Sequence, residues 1–262
     1  MKWRSLQESS PESGTRRLYE IYADRKELIA KYVPPEIQAI HARVVDELRA
    51  SGIADRTLQR GSRAPAFELP DHNGKLISAA ELLNKGPLVI CFIRGRWCPF
   101  CVGQMEAMNA IVPELEKLGA SLVGISPQTV HQSYLMADQH KLQFPLLSDA
   151  GNQVARQFGL GYRLPEYQQE IYRRVFVNLP FVNGDESWEL PIPGTFIVGD
   201  KSLNHREHVG AQRNATEENS TKGTFGEKSS CDSLITYASA NPDYTDRPEP
   251  ADILSRIPQV SS

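Results

Sequence analysis

Residues 87–105 read PLVICFIRGRWCPFCVGQM. The run from 87 to 93 is almost entirely apolar, which is typical of a central parallel strand covered on both faces. Cys98 and Cys101 follow with CxxC spacing, and the apolar residues after them recur with helical spacing. Pro113 lies within this helical stretch and is expected to kink it. The segment therefore predicts a buried strand, a loop that carries two cysteines, and a helix.

The rest of the chain alternates between short apolar runs and helical patterns. The pattern predicts strands at 66–69, 121–126, 195–198 and 234–237, an extended segment at 144–149, and helices at 78–83, 129–141, 152–158, 165–177 and 251–257. Two late strands without a helix between them, after an alternation of strands and helices, indicate an α/β fold. We expect a mixed sheet with helices on both faces.

Residues 1–60 have a different character from the rest. Two helical patterns, at 15–33 and from Ile37 to Leu48, are interrupted by Pro34 and Pro35 and stopped by Gly52. We expect a helical N-terminal extension over residues 1–60 that packs on the domain of residues 61–257 or on a partner subunit.

The segment 201–232 does not fit a folded domain. It is rich in Asn, Glu, Ser, Thr, Lys and Gly and poor in apolar residues, a composition that cannot offset the entropy cost of ordering. If the segment is removed, Asp200 adjoins Ser233 and the two late strands form a hairpin. We therefore predict a disordered insertion at a hairpin tip, of real or gene-model origin.

Composition excludes several functional classes. The net charge of −3 provides no basic field for nucleic acid or an anionic membrane. No apolar window reaches the ~18 residues that cross a bilayer. The first residues lack the apolar run of a secretory signal, and Glu8 and Glu12 are unlike an organellar transit peptide. We expect a cytoplasmic protein.

Four cysteines in 262 residues do not form a disulfide scaffold. In the reducing cytosol, the close pair Cys98 and Cys101 is expected to be catalytic or metal-binding. A thiol at a helix N-terminus has a lowered pKa, because free N–H groups and the helix dipole favour an anion. Arg94 and Arg96, just upstream, would add positive potential.

Zinc binding is the alternative for this pair, and it requires two further ligands. Cys231, His205 and His208 are the remaining candidates, and all three lie in the predicted insertion. We therefore favour redox chemistry without a metal or an organic cofactor. Cys91, inside the apolar strand, is expected to be a buried inert thiol.

Residues 95–101, GRWCPFC, resemble the Trp-Cys-x-x-Cys site of thioredoxins. The wider pattern resembles the peroxiredoxin-like branch of the alkyl hydroperoxide reductase/thiol-specific antioxidant family. The resemblance is carried by GSRAPAFELP at 61–70, FIRGRW at 92–97, FPLLSD at 144–149, PGTFIV at 193–198, NPDYT at 241–245 and EPADIL at 249–254. It implies a thioredoxin-like fold and reduction of hydrogen peroxide or organic hydroperoxides. It also implies thioredoxin, or glutathione with glutaredoxin, as reductant, and is compatible with a homodimer.

The resemblance leaves the duties of the two cysteines open. The peroxiredoxin motif places the attacking cysteine at Cys101, with Cys98 at its Thr/Ser position and Arg94 at its Pro position. The thioredoxin motif makes Cys98 the exposed attacker and Cys101 the resolving cysteine. In both cases the pair forms a redox-active disulfide.

Pro193 stands where peroxiredoxins carry a peroxide-binding arginine and where thioredoxins carry a cis-proline. We therefore predict a cis Ile192–Pro193 bond, and we expect Arg94 or Arg96 to replace the missing arginine. Trp97 is expected to pack against the site and limit solvent access.

Three functions follow from these features. The leading interpretation is a thiol-dependent peroxidase with an antioxidant role. The second is a protein disulfide reductase of the thioredoxin type, favoured by the CxxC and the missing arginine. The third is a redox sensor or scaffold whose helical extension binds a partner.

Overall fold

A central five-stranded sheet organises the fold in the computed structural model, which describes residues 17–174, 177–200 and 233–257. The strands of the described residues are β1 (Glu68–Pro70), β2 (Leu76–Ser78), β3 (Leu88–Phe92), β4 (Ser121–Ser126), β5 (Leu146–Ser148), β6 (Gly161–Arg163), β7 (Glu189–Pro191), β8 (Gly194–Asp200) and β9 (Ser233–Ala240). The sheet order is β5-β4-β3-β8-β9. The pairs β3/β4 and β4/β5 are parallel, and the pairs β3/β8 and β8/β9 are antiparallel. The predicted mixed sheet is confirmed.

Helices cover both faces of this sheet. They are α1 (Leu18–Tyr32), α2 (Pro35–Ala50), α3 (Ala79–Leu83), α4 (Pro99–Ala110), α5 (Val112–Lys117), α6 (Val130–His140), α7 (Gln153–Gln157), α8 (Glu166–Arg174), α9 (Leu179–Asn183) and α10 (Pro250–Arg256). Within the described ranges, no helix is both long enough and apolar enough to cross a bilayer.

Strand β3 is the centre of the core, and all five of its residues are buried. Successive side chains of a strand point to opposite faces. Val89 and Cys91 therefore pack on the face covered by α1 and α4, whereas Leu88, Ile90 and Phe92 pack on the other. Because both faces are covered, the strand needs the continuous apolar run seen in its sequence.

The two helices predicted for the N-terminal extension are present in its described part, whereas residues 1–16 lie outside the described residues. Pro34 separates α1 from α2, and Pro35 lies in the first turn of α2. Proline is tolerated there because backbone N–H groups of the first turn have no hydrogen-bond partner within the helix. Gly52, at φ +65°, lies just after the end of α2. Leu18 and Tyr22 of α1 are buried in the same cluster as the side chains of α4.

Strands β8 and β9 form the predicted antiparallel pair. Their register runs from Gly194 opposite Ala240 to Asp200 opposite Ser233, with one irregularity between Ile197 and Val198. The predicted insertion, 201–232, lies outside the described residues. Its two flanking residues face each other across the hairpin.

The predicted kink at Pro113 is confirmed as a break between two helices. Helix α4 ends at Ala110, Ile111 leaves helical geometry with ψ 5°, and Pro113 lies in the first turn of α5. Among the strands and α-helices of the described residues, four short ones were not predicted: β2, β6, β7 and α9. Each has five residues or fewer, too few for a period to be detected in the sequence.

Candidate active site

The two cysteines of the CxxC lie where β3 passes into α4. Cys98 is the N-cap residue of α4, with extended backbone at φ −92° and ψ 115°, and Cys101 lies in the first helical turn. Pro99 suits the first position of the helix because its fixed φ is helical and no N–H is needed there. Both thiols are free and almost fully buried, Cys98 at 1% exposure and Cys101 at 0%.

The sulfur of Cys101 accepts two hydrogen bonds. The backbone N–H of Arg94 donates to it at 3.4 Å, and Nη2 of Arg247 donates at 3.5 Å. Donors around a sulfur favour the thiolate over the thiol, because the negative charge of the thiolate strengthens the hydrogen bonds that it accepts.

The pKa values of the two thiols are driven apart. Burial alone raises the pKa of Cys101, but the neighbouring thiol of Cys98 and the charges of Arg247 and Arg94 outweigh it and hold that pKa well below its ordinary value. Burial also raises the pKa of Cys98, and the neighbouring Cys101 raises that pKa further. The arrangement is one thiolate, at Cys101, beside one thiol, at Cys98.

Arg247 is the functional residue that sequence reasoning missed. It belongs to the loop between β9 and α10, where its Nε donates to the carbonyl of Tyr244 at 3.0 Å and its Nη1 to Oε1 of Gln104 at 2.7 Å. A single arginine so far from the CxxC has no motif of its own. The one available signal was its position between two segments that carry the family resemblance, 241–245 and 249–254.

Gln104 connects the helix of the CxxC to the rest of the site. Its side chain is 1% exposed, and its Nε2 donates to Oγ1 of Thr195 at 3.1 Å. Its Oε1 is the acceptor for Arg247. Because both ends of the amide are engaged, Gln104 fixes the position of the guanidinium opposite Cys101.

Arg94 is placed differently from the prediction. Its backbone, and not its guanidinium, donates to Cys101. The guanidinium is buried between the rings of Trp97, at 4.8 Å, and Tyr244, at 4.3 Å, and donates to the hydroxyl of Tyr172. Within the described residues it forms no ion pair with a carboxylate, so its charge acts on the thiolate through the low-dielectric interior.

Trp97 and Arg96 support the loop of the CxxC. Trp97 is partly buried and packs edge-on against Tyr172 at 5.2 Å, which matches its expected packing role. Arg96 donates from its backbone to Gln128 at 3.0 Å and from its guanidinium to Gln132 at 3.2 Å. Arg96 therefore anchors the loop to α6, and it is Arg247 that takes the place of the missing arginine at the sulfur.

The predicted cis Ile192–Pro193 bond is wrong. No cis peptide bond occurs within the described residues, so this bond is trans. The N–H of Ile192 donates to the carbonyl of Leu160, and the chain runs extended from β7 into β8 without a turn. A trans bond suits such a path. Pro193 still lies beside the site, because the next residue, Gly194, pairs with Phe92 at the end of β3.

Cys91 is a buried core thiol. Burial raises the pKa of Cys91 to about 12, as expected of an inert core thiol. Cys231, His205 and His208 lie outside the described residues. In the described part of the chain, no three His, Cys, Asp or Glu side chains cluster closely enough to hold a metal ion.

A buried strand, a CxxC at a helix N-terminus and an antiparallel strand beside it define a thiol oxidoreductase of the thioredoxin fold. The sequence profile of the AhpC/TSA family matches residues 60–205. The chain belongs to this family.

Named relatives agree with this placement. A provisionally named peroxiredoxin of Mycobacterium tuberculosis (strain H37Rv) is 32% identical over 120 residues, which cover 46% of this chain and 78% of the relative. Chloroplastic peroxiredoxin Q of Triticum aestivum is 32% identical over 111 residues, 42% of this chain and about half of the relative, at 51%. The crystal structure of peroxidoxin BcpB from M. tuberculosis superposes with a TM-score of 0.52 at 21% identity. The superposition covers 78% of this chain and 99% of the BcpB chain, and it supports the fold.

Proposed function

We propose that this thiol-dependent peroxidase reduces hydrogen peroxide or a small organic hydroperoxide through a cycle between the Cys98/Cys101 dithiol and its disulfide. The observation that carries the proposal is the inequality of the two sulfurs. Cys101 accepts two hydrogen bonds and has a lowered pKa, whereas Cys98 has a raised pKa.

In the first step, the thiolate of Cys101 attacks one oxygen of the O–O bond. The S–O bond forms as the O–O bond breaks, and the departing oxygen takes a proton from solvent and leaves as water or an alcohol. Cys101 becomes a sulfenic acid. In this proposal the guanidinium of Arg247, which donates to the same sulfur, binds the peroxide, and its charge stabilises the negative charge that moves onto the leaving oxygen.

In the second step, the sulfur of Cys98 attacks the sulfenic sulfur of Cys101. The S–S bond forms, the S–O bond breaks, and the hydroxide takes the proton of Cys98 and leaves as water. An external thiol then reduces the disulfide by thiol exchange and restores the dithiol. The cycle requires two electrons per peroxide and serves an antioxidant role.

The protein disulfide reductase interpretation requires an exposed Cys98 with a low pKa. Cys98 is 1% exposed and its pKa is raised, and neither property suits an attacker of protein disulfides. The sensor or scaffold interpretation, the cytoplasmic location and the homodimer stay predictions.

Stopped-flow oxidation of the reduced protein tests the proposal, with Trp97 fluorescence as the signal. Wild type is compared with Cys98→Ser, Cys101→Ser and, as a matched control, Cys91→Ala. We expect Cys98→Ser and Cys91→Ala to keep the fast reaction with hydrogen peroxide and Cys101→Ser to lose it. Wild type reacting no faster than a free thiol overturns the peroxidase proposal, and a fast phase that is lost in Cys98→Ser instead reverses the duties of the cysteines.

A further inference from the structure

Helix α1 of the N-terminal extension lies directly on the first turn of α4, where the cysteines are. The hydroxyl of Tyr22 donates to the carbonyl of Phe100, and Nη1 of Arg25 donates to the carbonyl of Pro99. These are the two residues between the cysteines. Tyr22 also packs edge-on against the ring of Phe100 at 5.1 Å.

Gly103 of α4 makes room for this contact. A Cβ atom on Gly103 would lie 2.3 Å from Nη1 of Arg25 and 3.1 Å from the ring of Tyr22. Both side chains of α1 are buried, Tyr22 at 3% and Arg25 at 7% exposure. The absence of a side chain at position 103 therefore allows α1 to rest against the helix backbone.

The start of α1 is fixed by the C-terminal part of the chain. The carboxylate of Glu249 accepts from the backbone N–H of Leu18 at 2.9 Å and of Tyr19 at 2.7 Å. Glu249 is the N-cap residue of α10 and lies two positions from Arg247. Helix α1 and the loop that carries Arg247 are thus joined, and both contact the first turn of α4.

We infer that α1, through Tyr22 and Arg25, restricts the site to small reactants, so that the reductant of the disulfide is a low-molecular-weight thiol and not a protein dithiol. This inference rests on the proposed peroxidase cycle. Of the reductants that the family resemblance implies, it keeps glutathione as the direct reductant and excludes thioredoxin and glutaredoxin from that step.

The geometry of a mixed disulfide carries the argument. Two bonded cysteines have Cα atoms about 4.4–6.8 Å apart. A protein reductant bonded to Cys98 would therefore bring its cysteine, and the folded chain on both sides of it, to this distance from Cys98, beside Pro99 and Phe100, whose carbonyls already accept hydrogen bonds from α1. Glutathione extends by only one residue on each side of its cysteine. A small thiol requires only side-chain movement, since Trp97, Pro99 and Arg247 at the edge of the site are partly exposed.

The exchange can then proceed with α1 in place. A thiolate RS⁻ attacks the sulfur of Cys98, the Cys98–Cys101 bond breaks, and Cys101 leaves as the thiolate that the site stabilises. A second RS⁻ attacks the sulfur of R in the mixed disulfide, which releases RSSR and the Cys98 thiolate, and the latter takes a proton from solvent. Two thiols are oxidised for each protein disulfide reduced.

The test follows the reduction of full-length protein whose disulfide was formed with diamide, so that peroxidase activity plays no part. Rates with glutathione and with a thioredoxin are measured by Trp97 fluorescence. We compare wild type, the Tyr22→Phe/Arg25→Met double variant, Gly103→Ala, and the exposed Tyr19→Phe as control. Losing both hydrogen bonds of α1 should raise the thioredoxin rate by about tenfold or more and change the glutathione rate by less than about threefold.

We expect Gly103→Ala to act in the same direction and Tyr19→Phe to match wild type. Rapid reduction of wild type by thioredoxin, at the rate of an exposed disulfide, overturns the inference. So does an equal change with both reductants in the variants. If a variant does not fold, the ratio of the glutathione rate to the thioredoxin rate of wild type decides between the two reductants. A lack of peroxide reactivity in the separate assay of wild type would contradict the proposed function without affecting this result.

Discussion

Arg247 donates a hydrogen bond from Nη2 to the sulfur of Cys101 across 3.5 Å, although 146 positions separate the two residues in the chain. The contact joins the last loop of the fold to the first turn of α4. The contact places a positive charge at the sulfur of Cys101. The family pattern has an arginine at the position that Pro193 occupies in this chain. Gln104, buried between them, holds the guanidinium in this position.

Replacing Arg247 with methionine should raise the pKa of the Cys101 thiol toward the ordinary value of about 8.5 and slow its oxidation by hydrogen peroxide at pH 7 about 10²-fold, because a charged donor at the reacting sulfur is lost. Stopped-flow fluorescence gives the rate, and thiolate absorbance at 240 nm gives the pKa. Arg256→Gln, on the exposed side of α10, is the matched control and should behave as wild type. Equal rates for Arg247→Met and wild type would remove Arg247 from the mechanism.

The pH dependence of oxidation follows from the lowered pKa of Cys101. The thiolate is the reactive form, so the rate is full above that pKa and falls about tenfold per pH unit below it. Between pH 7 and 9 the wild-type oxidation rate should therefore be nearly constant, whereas the oxidation rate of a free cysteine with a pKa of about 8.5 rises roughly 25-fold. Stopped-flow rates from pH 4 to 9 provide the measurement. A wild-type rate that climbs steadily from pH 7 to 9 would show that Cys101 has an ordinary pKa.

The parts of the fold that the sequence predicts are those set by local patterns. The apolar run of β3, the helical period after the CxxC and the prolines between α1 and α2 each determine their own element within about twenty residues. The pairing of β8 with β9 was also predictable, because removing the polar segment 201–232 brings two strand patterns together. Local patterns are therefore sufficient to place Cys98 and Cys101 between a buried strand and the helix that follows it.

The parts that the sequence does not predict depend on contacts between distant residues. Whether Cys98 or Cys101 is the thiolate is decided by which sulfur faces Arg247 and the N–H of Arg94, and no local motif records this. The seating of α1 on the CxxC depends on Gly103, a residue whose role is visible only once the two helices meet. The trans bond before Pro193 is likewise set by the path from β7 into β8.

The burial of Arg94 leads to a prediction about the reduction potential of the Cys98–Cys101 disulfide. Its guanidinium is buried, and within the described residues no carboxylate pairs with it. Its charge lowers the pKa of Cys101, so the Cys101 thiolate of the reduced protein offsets part of this charge. Disulfide formation removes the thiolate and leaves the buried cation without this offset, which favours the reduced form. Arg94→Met should therefore lower the reduction potential by about 30 mV or more, the equivalent of a tenfold change in the equilibrium constant.

Redox titration against glutathione buffers, followed by Trp97 fluorescence, measures this potential. Arg96→Met is the matched control, because its guanidinium binds Gln132 and not the aromatic rings around Arg94. We expect Arg96→Met to keep the wild-type potential. A potential that stays constant in Arg94→Met, in a variant whose near-ultraviolet circular dichroism matches wild type, would show that Arg94 contributes packing alone.

The pairing of Asp200 with Ser233 leads to a prediction about the segment between them. Replacing residues 201–232 with Asn-Gly, the dipeptide favoured in two-residue hairpin turns, should leave the peroxide rate unchanged. The free energy of unfolding should rise by at most about 2.5 kcal/mol, because loop-closure entropy varies only slowly with loop length. Thermal unfolding followed by circular dichroism tests this, with a scrambled 201–232 sequence as control. A melting temperature that falls by more than about 5 °C in the shortened protein, a loss of roughly 1–2 kcal/mol in a domain of this size, would mean that the segment packs on the domain and is not a passive insertion.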